Sequence, residues 1–201
     1  MKKILYVASK NPGKYQEIQD FLTPVSGLTP LAIPDSHSAI EVEETGETYQ
    51  DNSFLKAKAF YIPAVDYTLA DDAGIEIPVI SKQLGVKTRR FGAGEKVSDQ
   101  EWLDYFLNYF KNYKGDQRQA RFKTSLCLYN GQTPMFFEGI VTGRIAQEQQ
   151  CPIIKGIPLS SVFIPDGFSV AMSQMSLQQK NQISHRAKAL TKLLDFLNQT
   201  T

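Results

Sequence analysis

The feature that most constrains the fold is a long β-hairpin predicted by residues 121–145. Even-numbered positions from 122 to 128 carry Phe, Thr, Leu and Leu, while the odd-numbered positions from 121 carry Arg, Lys, Ser and Cys. This alternation is typical of a half-buried strand. The Asn130-Gly131 pair that follows is a strong signal for a hairpin turn, and a return strand is expected from about Met135. The chain therefore contains a pair of long antiparallel strands.

The beginning of the chain predicts a strand followed by a helix. Residues 4–8 are apolar enough for a buried strand, and Asn11 and Pro12 suit the N-cap and the first position of a helix. Apolar side chains then recur at helical spacing until Pro24. Strand–helix units combined with a long hairpin indicate an α/β fold with a mixed sheet. A length of 201 residues without repeats or a clear linker predicts one domain over 1–201.

Three further helices are predicted from their capping residues. One is expected from Thr48 to about Ile62. A second begins at Ser98 and carries an aromatic face that we assign to the core. A short one begins at Ser176, just before the last helix of the chain.

Two short strands complete the prediction. One would end near Val42, in an otherwise loop-rich stretch from 23 to 47. The other would run from Tyr67 to Ala70 and be broken by the Asp-Asp-Ala-Gly sequence at 71–74. The acidic pair is thereby expected at the end of a strand, which is where α/β sheets bind ligands.

The charge balance argues against several classes of protein. Lys and Arg number 22 against 21 Asp and Glu, so the net charge predicts no binding to nucleic acid or to a membrane surface. No apolar run approaches the length of a membrane span, and the apolar segment after Met1 is too brief for a secretory signal. A cytoplasmic location is therefore expected. Cys127 and Cys151 lack the spacing of a metal site.

The last helix has an unusual, cationic start. Ser184 suits an N-cap and apolar residues follow at helical spacing, which places His185 and Arg186 in the first turn. The N-terminus of a helix carries a partial positive charge, so cations are unfavourable there unless an anion lies in front of them. For this segment alone, an ordinary surface helix with an unfavourably placed Arg is the alternative.

A second helix start repeats this anomaly at Lys10 and Lys14. Helix N-termini bind phosphate well, because their N–H groups and their dipole point at the anion. Asn52 and Lys56 are four residues apart and share a helix face. Any one of these lysines alone is more typical of a solvated surface. The candidate phosphate-binding cations are Lys10, Lys14, Lys56, Lys180, His185 and Arg186.

The candidate metal ligands are Glu44 and the pair Asp71 and Asp72. Adjacent carboxylates repel unless they are solvated or bridged by a cation, and Mg²⁺ binds one or two carboxylates together with substrate phosphate oxygens. The alternative is an Asx-type turn, since Asp-Asp-x-Gly commonly ends a strand. There is no Ser-His-Asp order and no nucleophile elbow. The first loop lacks the glycine spacing of a P-loop, which disfavours a kinase or an ATPase.

Five short motifs occur in order along nearly the whole chain. They are SKNPGKYQE at 9–17, ETGET with DN and KA within 44–57, ADDAGIE at 70–76, FEG at 137–139 and KNQISHRAKAL at 180–190. Each motif alone is weakly specific. Together and in this order, they resemble the motifs of the inosine/xanthosine triphosphate pyrophosphatase family.

The resemblance implies both a fold and a reaction. The fold would be an elongated α/β domain with a long mixed sheet and two lobes flanking a central cleft, usually assembled as a homodimer. The reaction would be the Mg²⁺-dependent hydrolysis of nucleoside triphosphates such as ITP, dITP and XTP to the monophosphate and pyrophosphate. Such a reaction clears these nucleotides from the cellular pool.

Carried over by position, the resemblance also implies residue roles. Glu44 and Asp72 would hold Mg²⁺, and Asp72 would be the general base for water attacking the α-phosphorus. The residues that would contact substrate are Ser9, Lys10, Asn11, Lys14, Asn52, Lys56, Ala73, Lys180, His185 and Arg186. Cations and a metal ion of this kind stabilise charge spread over phosphoryl oxygens.

Residues 156–163 depart from the family pattern. The family has GFGYDPxF, whose Phe stacks on the purine and whose Asp contributes to recognition, whereas this chain has GIPLSSVF. Ile157 cannot stack as an aromatic ring does, which costs on the order of 1 kcal/mol, and Ser160 carries no charge. Two alternatives therefore stay open: a nucleotide-binding protein of this fold without turnover, and a pyrophosphatase with a shifted base preference.

Overall fold

The computed structural model describes residues 3–80, 83–93 and 96–199, which form an α/β fold on one mixed sheet. The strands of this sheet are β1 (Lys3–Ala8), β2 (Leu28–Ala32), β3 (Tyr67–Glu76), β4 (Gln119–Tyr129), β5 (Pro134–Ile145) and β6 (Phe163–Pro165), in the spatial order β2-β1-β3-β4-β5-β6. The α-helices are α1 (Pro12–Leu22), α2 (Tyr49–Ala59), α3 (Asp99–Phe110), α4 (Leu177–Ile183) and α5 (His185–Gln199).

The sheet combines parallel and antiparallel pairing. β1 is parallel to β2 and to β3, and the chain passes through α1 and then α2 on its way between them, as parallel strands require. From β3 to β6 the pairing is antiparallel, and the β4–β5 hairpin keeps an unbroken register from Gln119↔Arg144 to Tyr129↔Pro134. The predicted mixed sheet and the predicted hairpin are both confirmed.

The helices begin at the capping residues that the sequence predicts. Asn11 caps α1, while Thr48 and Ser98 form capping boxes at α2 and α3. At α5, the Ser184 hydroxyl accepts a hydrogen bond from the backbone N–H of Ala187 at 3.1 Å. Each cap satisfies backbone donors that would otherwise lack partners and stabilises its helix by about 1 kcal/mol.

β3 differs from the prediction, which ended this strand at Ala70 and turned the chain at 71–74. The strand runs on to Glu76, because residues 71–76 stay in register with β4. What ends at Ala70 is the parallel pairing with β1. The acidic pair therefore lies inside a strand, just beyond the end of its parallel neighbour. Its two side chains point to opposite faces of the sheet.

The stretch from 23 to 47 also differs from the prediction. Val42 lies in an irregular segment rather than at the end of a strand, and the strand of this stretch is β2. β2 contains Pro30, which has no N–H to donate, and this is tolerated because β2 is the edge of the sheet. α2 ends at Ala59 instead of near Ile62.

Three groups of buried side chains form two lobes, with two of the groups in the first lobe and one in the second. In the first lobe, α1 and α5 cover one face of the sheet and α2 covers the other. In the second lobe, Trp102, Phe106 and Phe110 of α3 pack against β6 and the far ends of β3 and β5, so the predicted aromatic core is confirmed at these three positions. Among the helices described, none is long and apolar enough to cross a membrane.

Candidate active site

A cleft of about 720 Å³ lies between the two lobes. Its walls contain most of the side chains that the sequence singles out: Ser9, Lys10, Asn11, Lys14, Glu44, Lys56, Asp72, Ala73, His185 and Arg186. Asn52 and Lys180 lie outside the walls. Asn52 is buried behind Asp72. Lys180 belongs to α4, close enough to Cys151 to oppose the rise in thiol pKa that burial causes there.

The loop between β1 and α1 forms one edge of the cleft. The Ser9 hydroxyl accepts the backbone N–H of Asn11 at 3.3 Å, and Asn11 in turn donates from Nδ2 to the carbonyl oxygen of Gly156 at 2.7 Å. Lys10 is exposed, with its ammonium 6.0 Å from the centre of the Phe60 ring. The N-terminus of α1 thus faces the cleft with polar and cationic groups around it.

Asp71 is completely buried and fixes two cations. Its Oδ2 lies 3.2 Å from Lys14 Nζ and 3.1 Å from Arg186 Nη2, and its Oδ1 accepts the Thr124 hydroxyl. Burial alone would raise the pKa of Asp71, but Arg186 and Lys14 outweigh burial and hold it well below its usual range. Glu17 pairs with the same guanidinium. The anion expected in front of Arg186 is therefore supplied by the protein's own carboxylates.

Asp72 points to the opposite face and has different neighbours. Its Oδ1 lies 2.8 Å from Lys56 Nζ, and its Oδ2 accepts from Asn52 Nδ2 at 3.4 Å. Burial raises the pKa of Asp72, and Lys56 offsets this only in part. Burial also disfavours the ammonium of Lys56, yet Asp72 and Glu44 raise the pKa of Lys56 above its usual value. Asp72 is thus a carboxylate with increased proton affinity at the cleft wall, which suits a general base.

Lys56 connects Asp72 to Glu44. Oε1 of Glu44 lies 3.1 Å from the same ammonium, so Lys56 Nζ contacts both carboxylates. The loop that carries Glu44 is fixed by Asn52, whose Oδ1 accepts the backbone N–H of Gly46 at 2.8 Å. A Cβ at Gly46 would overlap the Asn52 side chain. The glycine of this motif is therefore required by close packing on α2.

Glu44 and Asp72 are the donors that could hold a divalent cation. The described part of the chain has no cluster of three or more His, Cys, Asp or Glu side chains suited to a metal, so two carboxylates would share the ion with other oxygens. Mg²⁺ binds in this manner, completing its shell with water and substrate phosphate. The donor set thus fits a cation that is also held by phosphate.

His185 is buried at the start of α5. Its ring stacks on Phe122 at a centroid distance of 5.0 Å and an interplanar angle of 16°. Its Nδ1 has no hydrogen-bond partner among the residues that the structure describes. Burial, together with nearby Arg186, lowers the pKa of His185 well below its usual value, so the ring is neutral. The approach of α5 to β5 requires Gly139, because a Cβ there would overlap the carbonyl oxygen of His185.

The divergent segment 156–163 contributes to the cleft wall through Gly156 to Ser160. Gly156 has a left-handed backbone, with φ +86°, and its peptide groups are held on two sides. Its carbonyl accepts from Asn11, and its N–H donates to Asp99 Oδ2 at 2.6 Å. Ile157, in the same wall, occupies the sequence position of the family's stacking Phe.

Several residues of the site were not predicted from the sequence: Glu17, Arg89, Asp99 and Trp102. Asp99 and Trp102 belong to the predicted helix α3, where they are typical of a helix start and of a core. Arg89 lies in a short 3-10 helix, Gly85–Arg90, without a recognisable motif. Only Glu17 has a sequence signal, since it is the last residue of the first motif.

Comparison with known proteins identifies the family. The sequence model of the Ham1 family matches residues 5–196. The chain belongs to the Ham1 family. A relative from Aquifex aeolicus (strain VF5), named dITP/XTP pyrophosphatase, is 36% identical over 96% of each chain. A relative from Bacillus subtilis (strain 168) with the same name is 33% identical over 95% of each chain. The resemblance found in the motifs is thereby confirmed.

Solved structures of the Ham1 family have the same fold. The Ham1 protein of Staphylococcus aureus superposes with a TM-score of 0.78 at 28% identity, covering 99% of this chain and 100% of that one. A Ham1 protein from Coxiella burnetii gives a TM-score of 0.79 at 27% identity, with 98% and 99% covered. The predicted α/β fold with a cleft between two lobes is confirmed.

Proposed function

We propose that this chain is a nucleoside triphosphate pyrophosphatase acting on deaminated purine nucleotides such as ITP, dITP and XTP. Relatives named dITP/XTP pyrophosphatase match nearly its whole length. The observation that carries the proposal is the meeting of two charged networks in one cleft. Lys14 is paired with Asp71 on one side, and Lys56 joins Asp72 to Glu44 on the other. A triphosphate and its metal ion would find partners in both networks.

The triphosphate would bind at the N-terminus of α1. Backbone N–H groups and the helix dipole attract phosphate oxygens there, and Ser9, Asn11 and Lys14 surround that end. Lys10 adds a charge at the rim, and Lys56 adds one beside the acids. Lysine ammonium groups act as point charges toward phosphate, so this set can hold several phosphoryl oxygens at once.

Asp72 would act as the general base. Hydrolysis forms a bond from the water oxygen to the α-phosphorus and breaks the bond from that phosphorus to the oxygen bridging it to the β-phosphorus. Asp72 accepts the proton of the water, and pyrophosphate leaves with the bridging oxygen. Asp72 suits this transfer because its carboxylate lines the cleft wall. When bound by Glu44 and Asp72, Mg²⁺ would neutralise charge on the phosphoryl oxygens.

The remaining assignments concern the substrate beyond its phosphates. Ala73, His185 and Arg186 line the cleft, and we assign them to substrate contact. Asn52 supports Asp72 from behind. Lys180 lies outside the wall, and its assignment rests on the family motif alone. We further propose that the chain acts as one domain and that it forms a homodimer in the cytoplasm. Light scattering on the purified protein would test the dimer.

A pyrophosphate-release screen tests the proposed function. The purified chain is incubated with ITP, dITP, XTP, dUTP and the four standard ribonucleoside triphosphates, with Mg²⁺ and with EDTA. We expect release with ITP, dITP and XTP that depends on Mg²⁺. Preference for a pyrimidine would indicate a shifted substrate. Binding without release from any nucleotide would replace the proposal by a nucleotide-binding protein without turnover.

A further inference from the structure

Most cations in the wall of the cleft are already neutralised by the protein's own acids. As many carboxylates as cationic side chains line the cleft, so the wall as a whole offers a triphosphate little surplus positive charge. The neutralised pairs, with N–O distances from 2.8 to 3.5 Å, are Lys14–Asp71, Lys56–Asp72, Arg89–Asp99 and Arg186–Asp71.

Two lysines of the cleft wall have no carboxylate partner among the described residues. They are Lys10 and Lys155. The ammonium of Lys10 lies 6.0 Å from the centre of the Phe60 ring, whereas that of Lys155 contacts neither an acid nor a ring within the described ranges. Lys155 is exposed and has no role in the reaction as described. Its charge is therefore available to an anion that enters the cleft.

Lys155 belongs to a turn that packs against the start of α1. The N–H of Ile157 donates to the carbonyl oxygen of Ile154 at 3.0 Å, and Gly156, the third residue of this turn, has φ +86°, as a type II turn requires. A Cβ at Gly13 would lie 2.7 Å from the carbonyl oxygen of Lys155. The two backbones are thus in close contact, which fixes Lys155 beside the N-terminus of the helix.

The same turn is bonded to a residue that we assign to the triphosphate. Asn11 donates from Nδ2 to the carbonyl oxygen of Gly156 at 2.7 Å, and its Oδ1 accepts the N–H of Lys14 at 3.1 Å. The turn and the cap of α1 are therefore held together at the end of the helix that attracts phosphate. Lys155 lies next to the position proposed for the phosphates.

We propose that Lys155 binds the γ-phosphate of the substrate and so favours triphosphates over diphosphates. The inference rests on the proposed function, in which Asp72 acts at the α-phosphorus and the β- and γ-phosphates leave as pyrophosphate. A terminal phosphate is close to doubly charged at neutral pH, so it carries more charge than either inner phosphate. A lysine acts on phosphate as a point charge, and the lysine without an acid partner matches the most highly charged group.

This contact does not depend on the base. The γ-phosphate is the same in every nucleoside triphosphate, so Lys155 should contribute equally to ITP, XTP and ATP. Its contribution should also weaken with salt, since Lys155 is exposed and exposed charges are screened. Lys155 thus selects the number of phosphates and leaves the choice of base to other residues.

The substitution Lys155→Gln tests the inference. Glutamine is polar and uncharged, and a change at an exposed position should leave the fold intact. With Mg²⁺ present, kcat/KM for ITP should fall about tenfold, as loss of a hydrogen bond to a charged group predicts. For IDP, which lacks the γ-phosphate, kcat/KM should stay nearly level. If IDP is not hydrolysed, its inhibition constant against ITP is measured instead and should stay level.

Two matched variants complete the experiment. Lys155→Arg keeps the charge and should preserve the preference for ITP over IDP. Lys111→Gln removes the same charge from an exposed position at the end of α3, outside the cleft wall, and should leave both nucleotides unaffected. Circular dichroism and melting temperature establish that each variant is folded.

The outcomes separate this inference from the proposed function. Equal losses for ITP and IDP in Lys155→Gln, or no loss at all, would overturn the role of Lys155 while the wild type still releases pyrophosphate. If the wild type releases pyrophosphate from no nucleotide, the proposed function fails, and calorimetric titration with tripolyphosphate and Mg²⁺ decides the inference. Lys155→Gln must then bind tripolyphosphate about tenfold more weakly than Lys111→Gln does. Equal affinities, or no binding to the wild type, would overturn the inference as well.

Discussion

At the residue scale, Asp71 and Asp72 show how strand geometry separates two roles. They are adjacent in sequence, yet alternation along β3 sends their side chains to opposite faces. Asp71 meets Lys14 and Arg186, which lower its pKa, whereas burial raises the pKa of Asp72 despite Lys56. The sequence interpretation treated them as one repelling pair bridged by a cation. Asp71 is a buried carboxylate paired with two cations, whereas Asp72 pairs with Lys56 and is the residue that we propose as the general base.

The substitution Asp72→Asn should remove most of the turnover and little of the binding. An amide cannot accept the proton of the attacking water, and loss of a general base costs about 10²–10⁴-fold in rate. The amide has nearly the shape of the carboxylate, so affinity for a non-hydrolysable nucleotide at saturating Mg²⁺ should change only a few-fold. Pyrophosphate release and titration calorimetry measure the two effects, with Asp35→Asn in an exposed 3-10 helix as the control. Retained turnover would remove Asp72 from the base role.

The substitution Asp71→Asn should act on stability. It leaves Arg186 and Lys14 without their buried partner, and breaking a buried ion pair from one side costs about 3–5 kcal/mol. Its pH dependence follows from the lowered pKa of Asp71 in the folded chain. Ionised Asp71 stabilises the fold above its unfolded pKa of about 3.9, and this contribution is lost as the pH falls below that value.

Urea unfolding at several pH values measures this contribution. Between about pH 5 and about pH 3, the wild type should lose more unfolding free energy than Asp71→Asn, because the variant has no carboxylate to protonate there. Parallel stability curves for the two proteins across this range would show that Asp71 does not stabilise the fold through its charge.

Local sequence patterns predict only part of this network. Glu44, Lys56 and Asp72 could be proposed because each lies in a recognisable motif. The contact of Arg186 with Glu17 joins residues that are 169 positions apart, and no local spacing specifies such a pair. The same holds for Thr124 on Asp71, which depends on the register of β3 with β4.

At the scale of elements, the capping and turn residues were sufficient to predict where the helices begin and where the hairpin turns. Ser98, Ser176 and Ser184 each begin a helix through a local hydrogen bond. The strands were less predictable. Pro30 argues against a strand, and it is tolerated in β2 only because β2 lies at the edge of the sheet. The Asp-Asp-x-Gly sequence predicts a turn, but β3 continues through it because these residues pair with β4. In both cases the deciding partner is distant in sequence.

The fit of α5 against β5 gives a prediction at this scale. Gly139→Ala would place a Cβ against the carbonyl oxygen of His185 and move the start of α5. Overpacking of this kind costs about 1–3 kcal/mol, and pyrophosphate release should fall because His185 and Arg186 shift together. Thr142→Ala, at an exposed position of the same strand, is the control. Wild-type stability and activity in Gly139→Ala would contradict the close approach.

At the scale of the whole molecule, the cleft lies between two lobes whose cores pack on the same sheet. β3 runs through both lobes, with Leu69 in the core of the first and Ile75 in the core of the second. The acidic pair lies between these two residues on the same strand. The order of motifs along the chain predicted this convergence, but the second-lobe wall with Arg89 and Asp99 follows only from the packing of α3.

Because both lobes form the cleft, nucleotide binding should stabilise the molecule as a whole. An α,β-methylene analogue of ITP resists hydrolysis at the reacting bond. At about 100 times its Kd it adds about 2.7 kcal/mol to the folded state, or about 5–10 °C in Tm for a chain of this length. Differential scanning calorimetry measures the shift.

Ligands that carry only one part of the analogue show how much each lobe contributes to this stabilisation. Inosine offers only the nucleoside and tripolyphosphate only the charge, so at equal concentration each should shift the Tm less than the intact analogue. EDTA should reduce the shift with the analogue, because Glu44 and Asp72 would then face the phosphates without a cation between them. A full shift with tripolyphosphate alone would mean that the second-lobe wall contributes nothing to binding, and the base would have to lie outside the cleft.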